Sequence, residues 1–190
     1  MATVQVFHAG PSNGGTGTPA GTGVTAREYG TDAVHKTVLT FTNAAVTLAD
    51  NPGVVAYGSL KIYDFPEGYL QFIGCTANIA VTKSSAGVNA DWDGDFGVGS
   101  VAANSGAGPL VGAEQTYINS IATPQAVAGA TTATGVSSNS LNIQSDGHTT
   151  PIDLYVNFLV DDADHDVTGT PCNLILNGSL TFTWVNLGDF

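Results

Sequence analysis

Val34-His35-Lys36-Thr37-Val38-Leu39-Thr40-Phe41 alternates, with Val34, Lys36, Val38 and Thr40 on one side and His35, Thr37, Leu39 and Phe41 on the other. A period of two marks a β-strand, whose successive side chains point to opposite faces. Asn43 breaks the pattern, Ala45 to Leu48 reads as another short strand, and Asp50-Asn51-Pro52-Gly53 is a turn. Val54 to Tyr63 follows as a strand, closed by Asp64-Phe65-Pro66-Glu67-Gly68, where Pro and Gly suit a turn. Tyr69 to Gly74 and Asn78 to Thr82 are two further strand candidates.

The centre is looser. Phe96 to Ala102 suits a strand, Gly112 to Ile121 has a modest helical look, and residues 122 to 140 are open. Ile152 to Val160 reads as a buried strand, and Leu174, Leu176, Leu180, Phe182 and Trp184 alternate around Asn177-Gly178, a hairpin signal. Eight or so short strands between turns predict an all-β fold, an antiparallel β-sandwich of jelly-roll or related type, over residues 24–190. Residues 9 to 23 are nearly all Gly, Pro, Ser, Thr and Asn, so residues 1–23 are expected to form an extended N-terminal arm. Its apolar piece, Val4 to Phe7, suits pairing with a neighbouring sheet.

The 190 residues are enough for one domain with a sizeable core. With 43% hydrophobic and only 11% charged residues, the chain lacks the composition of a disordered one. The net charge is −12, from 16 acids against Arg27, Lys36, Lys61 and Lys83. Four dispersed bases make no phosphate-binding patch, and an anionic membrane would repel this surface, so neither nucleic acid nor membrane is expected as a partner. The opening residues lack a basic and an apolar signal region, and no run approaches the roughly 18 apolar residues of a span. The expectation is a soluble product made in the cytoplasm. Cys75 and Cys172 sit in strand-like apolar sequence, either as buried thiols or as a disulfide in an oxidising compartment.

Two acidic clusters are candidate cation sites. Asp91, Asp93 and Asp95 alternate around Gly94, a pattern suited to a hard cation such as calcium. The EF-hand positions that need Gly and Glu hold Phe96 and Ala102, so the competing reading is a solvated turn. Asp161-Asp162-Ala163-Asp164-His165-Asp166 has divalent-metal chemistry, or the charge that keeps a strand edge from pairing. No nucleophile motif or phosphate loop is legible; a carboxylate pair among the dispersed Glu28, Glu67 and Glu114 stays open until the fold places them, and the expectation is no enzyme and no resident cofactor. Trp92, Trp184, Tyr57, Tyr63, Tyr69, Tyr117 and Tyr155 are either a glycan-stacking platform or packing.

Particular phrases go further than composition. Arg27-Glu28-Tyr29-Gly30 leading to His35-Lys36-Thr37-Val38-Leu39-Thr40, the run Gly58 to Gly68, Asp95 to Ser100 and the closing Asn177 to Asp189 resemble a family of tailed-bacteriophage virion structural proteins. The likeness covers residues 22 to 190. It implies a virion component without catalytic residues. A short, helix-poor chain suits capsid decoration better than the longer, mixed α/β major capsid protein. The resemblance implies a homo-oligomer, a trimer, bound to the major capsid protein on the capsid surface. The alternative is a calcium- or glycan-binding module serving host attachment.

Overall fold

The computed structural model describes residues 4–7, 17–31, 34–51, 55–104, 108–137, 143–146, 152–161 and 172–187. Among the described residues twelve strands make up one sheet: β1 (Val4–Phe7), β2 (Thr18–Pro19), β3 (Val24–Thr31), β4 (Val34–Asn51), β5 (Val55–Asp64), β6 (Tyr69–Lys83), β7 (Gly94–Gly99), β8 (Ile118–Thr123), β9 (Ala130–Val136), β10 (Ile143–Asp146), β11 (Asp153–Asp161) and β12 (Cys172–Asn186). The all-β, antiparallel expectation holds. Hydrogen-bonded neighbours run unbroken in the order β6-β12-β4-β5-β11-β7-β8, and β9 lies on the other edge of β6. Ile118 and Ile121 of β8 pack against Gly135 of β9, so the sheet curls into a nearly closed, barrel-like form.

Several short strands expected from the sequence are halves of longer ones. Asn43 does not end a strand, because β4 runs for 18 residues through it. Tyr69–Gly74 and Asn78–Thr82 are parts of the 15-residue β6. Asn177-Gly178 is not a hairpin turn, because β12 passes straight through it between two antiparallel partners. Phe41 faces Gly178 and Ala44 faces Leu176, so Thr42 and Asn43 lie opposite the single residue Asn177 in a β-bulge. The Asn43 N–H donates to Asn177 Oδ1 at 2.9 Å, and Asn177 Nδ2 donates to Asn43 Oδ1 at 3.3 Å. The extra residue changes the inward parity of β4 from His35, Thr37, Leu39 and Phe41 to Ala44, Val46 and Leu48. Without it, half of the strand would turn its apolar side chains to water.

Only Gly112–Gln115 of the helical-looking stretch is helical, as a 3-10 turn, and β8 follows it. The turn between β5 and β6 is present, yet Phe65 within it is buried. Its ring meets Tyr63 and Phe72 edge-on at 5.0 Å, and Phe182 and Trp184 at 5.4 Å, plugging the barrel interior. The apolar piece β1 pairs in parallel with β3 of its own chain, and Thr18–Pro19 pairs with Tyr63–Asp64. Cys75 lies opposite Phe182, ten residues along β12 from Cys172. At about 3.3 Å per residue this separation of roughly 33 Å forbids a disulfide, and both residues are buried thiols. No helix among the described residues is long and apolar enough to cross a membrane.

Gly178 has φ 139°, and a Cβ there would strike the Asn78 carbonyl oxygen. Gly178→Ala is expected to cost at least about 1–3 kcal/mol in urea-unfolding free energy from backbone strain. An unchanged transition midpoint would show that the bulge does not need glycine.

Candidate functional site

The acidic loop before β7 is divided by Trp92. Its indole is fully buried, with Nε1–H donating to the Gly129 carbonyl at 3.2 Å, while Asp91 on one side is exposed. Asp95 lies within β7 opposite Leu159 of β11, and Asp93 accepts the Asp161 N–H through its backbone oxygen at 3.2 Å. Asp91, Asp93 and Asp95 do not converge: no three His, Cys, Asp or Glu side chains gather into a metal-holding group among the described residues. Burial, and then the Asp161 charge, push the Asp95 carboxyl above its ordinary range, against a hydrogen bond from Ser120. Of the second cluster only Asp161 falls within the described residues; Asp162, Asp164, His165 and Asp166 lie outside them.

Glu28 and Glu114 are buried, and Glu67 is exposed in the β5–β6 turn. His35 Nδ1 lies 2.6 Å from Glu28 Oε1, and the Tyr63 hydroxyl donates to Oε2 at 2.9 Å. Burial, followed by the Glu28 charge, pushes the Tyr63 phenol well above its usual range. His35 stacks on Trp184 at 4.1 Å, and Trp184 Nε1 donates to Thr37 Oγ1 at 2.9 Å. This network joins β3, β4, β5 and β12. Its sequence signal was present, because His35 and Thr37 are polar residues on the alternating side of β4 that carries Leu39 and Phe41.

A second network had no sequence signal. Asn157 of β11 donates through Nδ2 to the carbonyls of Val101 at 3.0 Å and Glu114 at 2.6 Å. Its Oδ1 accepts from Ser59 Oγ at 2.6 Å and from the Ala103 N–H at 3.1 Å. Glu114 accepts the Asn104 N–H at 3.1 Å and the Val111 N–H at 3.0 Å. Together they hold the connection between β7 and β8 against the outside of the barrel, over Val55, Leu110 and Leu159. Gly99 lets the Ala113 and Glu114 backbone approach where any Cβ would collide.

Of the seven aromatic candidates, Trp92, Trp184, Tyr63 and Tyr117 are buried, Tyr57 and Tyr155 are half-buried and Tyr69 is exposed. Tyr155 donates to Asp153 at 3.0 Å, whose other oxygen lies 3.0 Å from Lys61 Nζ. Lys61 also lies 2.6 Å from Asp64, and these bonds hold its ammonium well above the ordinary lysine range. Burial raises the Asp64 carboxyl; burial works the same way on Asp153, where hydrogen bonds from Asp64, Lys61 and Tyr155 outweigh it and lower the carboxyl.

The outer face of β4, β12 and β6 differs from all of these. Its outward residues are Thr, Ser, Val, Ala, Asn and Ile with Tyr69 and Gln71, and Lys36 is the one charge among the described side chains of this face. A shallow depression of about 320 Å³ opens on it at Gly74, between Ile73, Val136, Thr181 and Thr183. Cys75 at its floor is a buried thiol that burial pushes far up from its ordinary value. A second depression of about 420 Å³, beside Gly21, Gly23 and Thr42, is lined by no ionisable side chain among the described residues. Neither lining offers an acid or base for proton transfer near neutral pH.

No protein-family model matches this chain, and no curated protein or solved structure matches it.

Because the Asp95 carboxyl is raised on folding, its ionisation opposes the folded state: its stabilising contribution is complete below the unfolded aspartate range and is lost as pH rises through its folded value. Asp95→Asn is therefore expected to be more stable than the parent at pH 7 and equal to it in acid, read from urea midpoints across pH. A variant less stable at pH 7 would assign the ionised carboxylate a stabilising contact instead.

Proposed function

We propose that this chain is a non-enzymatic structural subunit of a tailed-phage virion, a decoration protein that is made in the host cytoplasm, self-associates as a trimer and sits on the major capsid protein lattice. The observation that carries the reading is the charge-poor outer face of β4, β12 and β6 on a chain of net charge −12. Burying a charge at an interface costs its hydration, so interface cores are depleted in charged residues. Fifteen residues of three adjacent strands present roughly 700 Å² at ordinary strand spacing, close to the ~800 Å² per partner of a standard interface. The phrases that resemble those of phage virion proteins, running through β3, β4, β5, β7 and β12, suggest the setting. The internal hydrogen bonding of Glu28, His35 and Glu114 supports a structural rather than a catalytic role. A calcium- or glycan-binding module for host attachment draws less support, since Asp91, Asp93 and Asp95 do not gather and most of the candidate aromatics are buried.

Light scattering on the purified chain, with and without a calcium chelator, tests the reading. The expected result is a mass three times the 19.3 kDa chain, unchanged by chelation. A monomer at every concentration, or one that loosens when calcium is withdrawn, overturns it.

A further inference from the structure

Lys61 and Asp64 are three residues apart on β5 and would point to opposite sides of a regular strand. The β5–β11 ladder shifts register between them: Asp64 faces Asp153 and Lys61 faces Tyr155, so Ile62 and Tyr63 together stand opposite Leu154. This bulge turns both Ile62 and Tyr63 into the core and gathers Lys61, Asp64, Asp153 and Tyr155 into one half-buried group. Within it Lys61 Nζ lies 3.0 Å from Asp153 Oδ1 and 2.6 Å from Asp64 Oδ1. Tyr155 donates to the other Asp153 oxygen, Oδ2, at 3.0 Å. Asp64 and Asp153 are hydrogen-bonded to each other, and a bond between two carboxyl groups needs a proton on one of them. Burial raises Asp64 and acts alike on Asp153, where the bonds from Asp64, Lys61 and Tyr155 outweigh it, so the shared proton sits on Asp64. A solvent-touched ion pair adds little to stability, and it needs neither the second carboxyl bonded to the first nor a phenol on the far oxygen. An amine against a carboxyl, with a proton donor and an oxyanion donor beside it, is the arrangement that amide formation needs.

We propose that Lys61 and Asp153 condense within the folded chain into an isopeptide bond that ties β5 to β11, with Asp64 as proton relay and Tyr155 as donor to the oxyanion. The ammonium passes one proton to Asp153 Oδ1, and the freed amine attacks Cγ. As the Nζ–Cγ bond forms, negative charge gathers on Oδ2, where the Tyr155 hydroxyl meets it. Asp64 then gives its proton to Oδ1, the Cγ–Oδ1 bond breaks, and Asp64 takes a proton back from the nitrogen. Ammonium and carboxylate become one amide and one water, with no oxidant, reductant or cofactor consumed. The bond to Asp64 above all holds the ammonium well above the ordinary lysine range, which slows the first transfer. The reaction runs only once per chain, and groups held in contact reach effective molarities of about 10⁵–10⁸ M, which offset both that delay and the competition of water. The link is internal to one chain and stands apart from the self-association proposed above.

Intact-mass spectrometry of the purified, denatured chain tests the bond. The parent is expected to weigh one water less than its sequence, and proteolytic digestion is expected to release a branched peptide joining the Lys61 and Asp153 segments. Lys61→Arg keeps the cation but has no amine to condense, and it is expected at full mass, as is Asp153→Ala. Asp64→Ala, which removes the relay, is expected at full mass too. Asp93-Gly94 and Asp146-Gly147 can also lose water, by succinimide formation, so a deficit that persists in Lys61→Arg overturns the assignment. A parent that stays at full mass after incubation of the folded protein overturns it outright, whatever the variants do. Urea midpoints establish that each variant is folded, and a folded Asp64→Ala that still yields the branched peptide shows that Asp64 is not the relay.

Discussion

A single extra residue, Asn43, holds the barrel together. β4, β12 and β6 pair along nearly their whole lengths, so one face of each must stay apolar over 15 residues or more. Apart from the exposed Gly178, β12 keeps even-numbered residues inward from Cys172 to Asn186, and β4 matches it only by changing parity at the bulge. The two asparagine side chains satisfy each other across the gap, and Gly178 leaves room for the neighbouring Asn78 carbonyl. From that point the core follows: Leu39, Phe41 and Trp184 on one side of the bulge, Val46, Leu174 and Leu176 on the other.

Several polar groups inside this frame bond to one another. Glu28 meets His35 and Tyr63, and Asn157 satisfies its amide with four partners. Buried polar groups left unmatched cost more than a hydrogen bond returns, so such networks select one arrangement of the strands and loops they join. Here they fix the β3–β4 end to β5 and clamp the β7–β8 connection across β11. The glutamate that the fold sets beside His35 and the acids beside Lys61 are engaged in holding strands together.

Among the described residues, Asp91 and Asp161 are exposed beside β7 and β11, and the three longest strands turn mainly uncharged side chains outward, with Lys36 the exception. A solvated surface of a chain with 16 acids has no need to exclude them from its broadest face, whereas a surface that is covered loses stability with every charge it carries.

Alternation along Val34–Phe41, Ile152–Val160 and Leu174–Val185 was enough, from the sequence alone, to determine strands, their faces and the all-β class, because the period of a strand is a local property. The absence of clustered bases was equally legible. Strand length was not: Asn43, Gly74 and Asn177-Gly178 have the local chemistry of breaks, and only pairing with a partner on each side shows that the chain continues through them. Distant pairing also decided which acids meet. Asp91, Asp93 and Asp95, neighbours in sequence, part around a buried indole, while Glu28 and His35 are brought within 2.6 Å across the β3–β4 ladder.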